Sequence, residues 1–169
     1  MAAGRPVNVF ELTSASVEQT VACGRAIGRL ARPGDVITLE GPLGAGKTQL
    51  VRGLALGLGL DPAQVSSPTF VLMQEYVDRD DTVRLVHLDA YRLSGPEDLE
   101  GVGCDDEWMG RVVTAIEWPS RVGDVWGDAA LRLSLDHLGG DRRSVYIDAA
   151  AAAWADRSAA LRATLCSDR

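Results

Sequence analysis

The sequence predicts an α/β fold: a central, mostly parallel sheet extended by antiparallel hairpin strands, with helices on both faces. Three observations predict it. An apolar run at Val36, Ile37 and Leu39 is followed at once by a glycine-rich loop and then by helical periodicity from Lys47. Two further apolar runs each end in an acid: 82–88 before Asp89 and 112–116 before Glu117. Carboxylates at strand C-termini fall on the ligand-binding rim of an open α/β sheet. Two pairs of alternating segments flank short polar turns at 78–81 and 139–143 and read as β-hairpins. A purely parallel sheet would need a long crossover at the first of these turns instead.

Taken in order, residues 7–12 read as a short strand. Residues 13–16 offer several N-caps for a helix running to about Ala31. Val17, Val21, Ile27 and Leu30 give that helix an apolar face, weakened by Gly24 and Gly28. Arg32, Pro33, Gly34 and Asp35 make a turn. After the strand and its loop, a helix runs from Lys47 to about Leu58, with Leu50, Val51, Leu54 and Leu58 on one stripe. Residues 61–68 are a loop containing Pro62 and Pro68. Residues 70–77 read as a strand and pair with 82–88. Ser94 and Glu97 form a capping-box-like start to a short helix. Residues 101–109 are acidic and read as a solvated loop or broken helix. Residues 111–118 are a buried strand, and 129–138 with 144–150 make the second hairpin. Residues 149–165 are alanine-rich and read as a helix, amphipathic through Trp154, Leu161 and Leu165. With no repeat or boundary, the expectation is one domain, 1–169.

The loop after the first buried strand carries the chemistry. Residues 41–48, GPLGAGKT, fit G-x-x-x-x-G-K-[ST] at every fixed position, between a strand and a helix. The expectation is therefore a P-loop NTPase. Glycines let successive backbone N–H groups curl around a polyphosphate without Cβ clashes. Gly41, Leu43, Gly44, Ala45, Gly46, Lys47, Thr48 and Gln49 form this cradle and the first turn of the helix, whose dipole favours an anion. Lys47 can reach the β and γ oxygens as a point charge, and the Thr48 hydroxyl can ligand Mg²⁺. Asp89 stands where a Walker B acid meets Mg²⁺ or its water shell. Glu117, at the end of a second strand, can orient an attacking water or hold a Mg²⁺-bound one.

Composition narrows the partners. The chain carries a net charge of −7 and is 46% hydrophobic, which suits a packed core and not a disordered tail. A protein that grips nucleic acid unaided usually presents a basic surface, so tRNA or DNA contact is expected only through others. No apolar run approaches the ~20 residues of a membrane span. The stretch MAAGRPVNVFELT lacks a signal-type apolar core. No membrane association and a cytoplasmic location are expected. Cys23, Cys104 and Cys166 are isolated, and His87 and His137 stand alone in strand patterns. None receives a ligand role, so no metal beyond Mg²⁺ is expected.

Four motifs stand together in order: GPLGAGKT (41–48), SSPTF (66–70), HLDAYRL (87–93) and IEWPSR (116–121). As a set they closely resemble the TsaE (YjeE) family, over nearly the whole chain. The resemblance implies a Mg²⁺-dependent ATPase, weak when alone, of bacterial tRNA threonylcarbamoyladenosine synthesis. It implies association with a TsaD–TsaB heterodimer that transfers threonylcarbamoyl to adenosine 37 of tRNA. The ATPase supports repeated turnover of that complex without performing the transfer. Lys47 and Thr48 match the phosphate lysine and Mg²⁺ ligand, and Asp89 the Walker B acid. Glu117 matches the acid linked to Mg²⁺ and hydrolysis, and Trp118 an important aromatic beside it. Thr69, in Ser67-Pro68-Thr69, matches a switch-like position near the γ-phosphate. Ser16, within the start of the first helix, falls where the family approaches the base. The final hairpin supplies an arginine toward the nucleotide; Arg142 is assigned, with Arg143 beside it. Tyr91 and Arg92 match the motif as packing or partner-facing residues. A P-loop small-molecule kinase is a competing function, but it needs an acceptor lid with arginines, and the chain after Asp89 is acidic through Asp106. A non-catalytic, nucleotide-gated binding module is the other.

Overall fold

The computed structural model describes residues 8–103 and 105–167. Val7, at the start of the expected first strand, and Cys104 lie outside the described residues. The strands are β1 (Val9–Ser14), β2 (Val36–Glu40), β3 (Met73–Val77), β4 (Val83–Asp89), β5 (Val113–Glu117), β6 (Ala130–Gly139) and β7 (Arg142–Asp148). They form one sheet in the order β1-β7-β6-β2-β5-β4-β3. The inner four, β6, β2, β5 and β4, run parallel. β3 joins β4, β7 joins β6 and β1 joins β7, all antiparallel. The parallel centre with hairpin extensions is therefore present. β2 and β5 are flanked on both sides and covered on both faces, which is why they read as mostly apolar runs and not as alternating ones.

The helices are α1 (Val17–Leu30), α2 (Lys47–Gly57), α3 (Glu97–Gly101), α4 (Asp106–Met109) and α5 (Ser158–Ser167). α1, α2 and α5 cover one face through Ile27, Leu50, Leu54, Leu161 and Leu165. Each fully buried leucine there contributes about 1.5–3 kcal/mol. The short α3 and α4 cover the other face through Leu99 and Met109, packed with Leu88 and Ile116. Cys23 lies in the first core, where burial pushes its thiol up to about 12; a thiol kept protonated there is inert.

Gly24 and Gly28, which interrupt the apolar face of α1, have a packing role that the sequence did not show. They are the surface on which α2 rests. A Cβ on Gly24 would lie 2.0 Å from the Leu50 carbonyl oxygen, and one on Gly53 2.0 Å from that of Val21. The glycines let the two backbones touch, and this contact holds the start of α2, hence the loop, against the sheet. Gly24→Ala is expected to lower stability by at least the about 1–3 kcal/mol typical of overpacking, since a backbone oxygen cannot yield by changing rotamer. Thermal unfolding checks it, and an unchanged midpoint would refute the close contact.

Two expected elements are shorter than their patterns. The strand expected over 70–77 begins only at Met73. Before it the chain turns: the amides of Val71 and Leu72 both donate to the Pro68 carbonyl, and Leu72 has φ 66°. Phe70 is left 82% exposed. The helix expected over 149–165 is confined to α5, after a single 3₁₀ turn at Ala152–Trp154. Tertiary anchors override alanine propensity there. Trp154 is fully buried, and Arg157 stacks on its ring and forms a buried two-pronged pair with Asp35, at 2.6 and 2.9 Å. Among the described residues no helix is long and apolar enough to cross a membrane.

Candidate functional site

The loop between β2 and α2 curls because glycine stands where φ is positive. Gly44 has φ 80°, and Gly46, the N-cap of α2, has φ 102°. The first four N–H groups of a helix lack intrahelical partners, and no side chain caps these. A cavity of about 310 Å³ opens against them. Leu43, Gly44, Gly46, Lys47, Thr48 and Gln49 line it from the loop, Ser67 and Thr69 from the turn before β3, and Asp89, Glu117 and Trp118 from the strand ends.

Lys47 is buried, 5% exposed. Its Nζ donates to the Gly41 carbonyl at 2.5 Å and the Pro42 carbonyl at 3.0 Å, and lies 4.1 Å from the Trp118 ring centre. Burial holds its pKa below the ordinary lysine value, opposed by the charges of Glu117, Glu40 and Asp89. The amine is thus held by neutral carbonyls, which a charged acceptor can displace.

The two acids face each other because β4 and β5 pair Asp89 with Glu117. Both are buried, at 2% and 3% exposure. Asp89 Oδ2 accepts from the Thr69 hydroxyl at 2.8 Å, and Oδ1 from the Tyr91 amide at 2.9 Å. Glu117 Oε1 accepts from the Thr48 hydroxyl at 3.1 Å and lies 2.9 Å from His87 Nε2. Two carboxylates and a hydroxyl therefore meet beside the loop. Among the described residues no three His, Cys, Asp or Glu side chains cluster as a metal cage. The hard-oxygen set instead fits Mg²⁺, which takes one or two carboxylates and completes its shell with water and phosphate oxygens.

Trp118 adopts φ 59°, ψ 48°, the left-handed region that disfavours bulky residues. Its amide donates to the Leu39 carbonyl, and the turn directs the ring over Lys47. The Tyr91 ring meets it edge-on, 5.2 Å away. Tyr91, left open by the sequence, is thus in part a packing residue; the Arg121 guanidinium also lies over its ring, at 5.0 Å. Arg92 lies over exposed Phe70.

Four expected positions do not line the cavity. Ser16 does not line the cavity: its hydroxyl caps α1 by accepting from the Gln19 amide, and Val17 and Thr20 line the wall instead. Arg142 does not line it either. Neighbouring residues of a strand point to opposite faces, and Arg143 is the one beside the loop, its Nε 3.6 Å from where a Gly46 Cβ would stand. Gly41 contributes its carbonyl to Lys47, and Ala45 turns its methyl into the core, so neither lines the cavity. The sequence also passed over His87, which is fully buried against Glu117. Its signal was the strand period: two residues before Asp89, it shares that acid's face.

Comparison with known proteins agrees with the motifs. The family model described as threonylcarbamoyl adenosine biosynthesis protein TsaE matches residues 14–145. A tRNA threonylcarbamoyladenosine biosynthesis protein TsaE from Treponema pallidum is 38% identical over 134 residues, 79% of this chain and 96% of the relative. Its namesake in Bacillus subtilis is 36% identical over 132 residues, 78% of this chain and 80% of the relative. One from Streptomyces coelicolor is 42% identical over 119 residues, 70% and 79% of the two chains. The crystal structure of Bacillus subtilis YdiB superposes with a TM-score of 0.68 at 28% identity, covering 96% of this chain and 97% of that one. The chain belongs to the TsaE family, whose members act in tRNA threonylcarbamoyladenosine biosynthesis.

Proposed function

We propose that the chain is a P-loop NTPase, a cytoplasmic Mg²⁺-dependent ATPase that supports turnover of a TsaD–TsaB transferase acting on adenosine 37 of tRNA. One observation carries the reading: the Lys47 amine, the Thr48 hydroxyl and the acids Asp89 and Glu117 meet at one cavity beside an uncapped helix start. The loop amides and α2 receive the polyphosphate. Lys47 leaves the carbonyls of Gly41 and Pro42 for the β and γ oxygens. Arg143, and not Arg142, approaches from the hairpin, while Val17 and Thr20 of α1 flank the nucleoside. Thr48, Asp89 and Glu117 would hold Mg²⁺ directly or through its waters; the ion supplies charge neutralisation on the phosphoryl oxygens. Glu117 orients the water that attacks the γ-phosphorus as the bond to the β-phosphate oxygen breaks. Thr69, now on Asp89, senses the γ-phosphate and orders the 66–70 segment, a switch-type step.

The charge supports tRNA being held by partners and not by this chain. Lys47 is the only lysine and is committed to the cavity, and the sixteen arginines are scattered. Affinity for a phosphate backbone needs several clustered cations. The purified chain is expected to show no binding to labelled tRNA by fluorescence anisotropy at physiological salt, yet ATP-sensitive co-elution with TsaD–TsaB in size-exclusion runs. Tight, salt-sensitive tRNA binding by the chain alone would refute the first half. Co-elution indifferent to ATP and to Thr69→Ala would refute the second.

A further inference from the structure

His87 is fully buried, and its Nδ1 has no hydrogen-bond partner. Its Nε2 lies 2.9 Å from Glu117 Oε1. A buried unmade donor is costly, and a neutral imidazole carries its single proton on one nitrogen only. The proton therefore belongs on Nε2, where an acceptor waits, and not on Nδ1, where none does. β4 and β5 are in register at His87 and Ala115 and at Asp89 and Glu117. This places His87 on the same sheet face as both acids, one strand step below the rim.

The consequence lies in how Glu117 divides its oxygens. Oε1 takes both protein contacts, from His87 and from Thr48. Oε2 has no protein partner among the described residues, while Glu117 lines the cavity. Held from Thr48 alone, the carboxylate could swing with the loop, since that hydroxyl sits on the first turn of α2. His87 stands on β4 of the sheet, so its contact with Glu117 is independent of the loop. We propose that His87 is a positioning residue: its Nε2–H fixes Oε1 of Glu117 from below, so that Oε2 faces the γ-phosphate and its attacking water. The inference rests on the ATPase reading above and deepens it.

The test compares His87→Leu, His87→Gln and His87→Asn in the full chain. A glutamine amide can place its N–H near the position of Nε2; an asparagine amide reaches only as far as Nδ1. Partners that orient an acid of a metal site are worth ~10–100-fold in activity. Leucine and asparagine are expected to lower kcat of ATP hydrolysis by about that factor with KM little changed, and glutamine to recover most of the loss. A purely structural histidine would move melting temperature in all three without this order. Long-range ¹H–¹⁵N spectra of the imidazole in the wild-type protein without ATP should show Nε2 protonated and Nδ1 bare. An Nδ1-protonated ring, a His87→Leu variant with wild-type kcat, or glutamine no better than asparagine overturns the inference. A wild type that releases no phosphate from ATP fails the ATPase reading. A wild type that turns over beside an unimpaired His87→Leu fails this inference alone.

Discussion

Lys47→Ala is expected to remove ATP–Mg²⁺ binding and with it hydrolysis, while leaving the fold intact. Hydrogen bonds to charged groups contribute about 1.5–3 kcal/mol each. Losing the contacts to two phosphate groups should weaken binding on the order of a hundredfold or more. The fold survives because the lysine's present partners are two loop carbonyls and a ring face, not the hydrophobic core. Gly41 is half-buried and Pro42 exposed, so neither residue is sealed in the core. Isothermal titration gives the affinity and thermal unfolding the fold. Unchanged affinity with unchanged turnover would remove the phosphate role from Lys47.

Glu117→Ala should act on the other term. The loop amides and Lys47 hold the bound nucleotide, whereas orienting the attacking water matters in the transition state. The rate is therefore expected to fall on the order of a hundredfold, as for loss of a general base, with ATP affinity changed far less. Alanine also strips His87 and Thr48 of their acceptor. Glu117→Gln is the companion variant, because it keeps an Oε1 acceptor for both while removing the charge. If affinity collapses in parallel with rate in both variants, Glu117 anchors Mg²⁺ and does not position water.

The sequence made the centre of the sheet legible because local pattern and tertiary role agree there. β2 and β5 are mostly apolar and buried, and the acids at 89 and 117 mark where β4 and β5 meet the rim. Glycine spacing placed the loop, and the turns at 78–81 and 139–143 placed both hairpins. What stayed hidden depends on neighbours. Gly24 looks like a weak point in α1 until Leu50 lies against it. Residues 149–157 look helical until Arg157 reaches Asp35, 122 positions away in sequence. Arg142 and Arg143 differ only in which face of β7 each occupies, which a one-residue register decides. Ser16 is polar and near the cavity, but its hydroxyl is taken by the helix start. His87 opens the HLDAYRL motif, but its contact is visible only once Glu117 lies across the strand pair.

The most direct measurement is phosphate release from ATP by the purified chain, with Mg²⁺ and no acceptor added, followed alone and with TsaD–TsaB. Slow release by the chain alone, absent in Lys47→Ala and depressed in Glu117→Ala, is the expected result. No release in either setting, with ATP bound normally, would contradict hydrolysis and leave a nucleotide-gated binding module in its place.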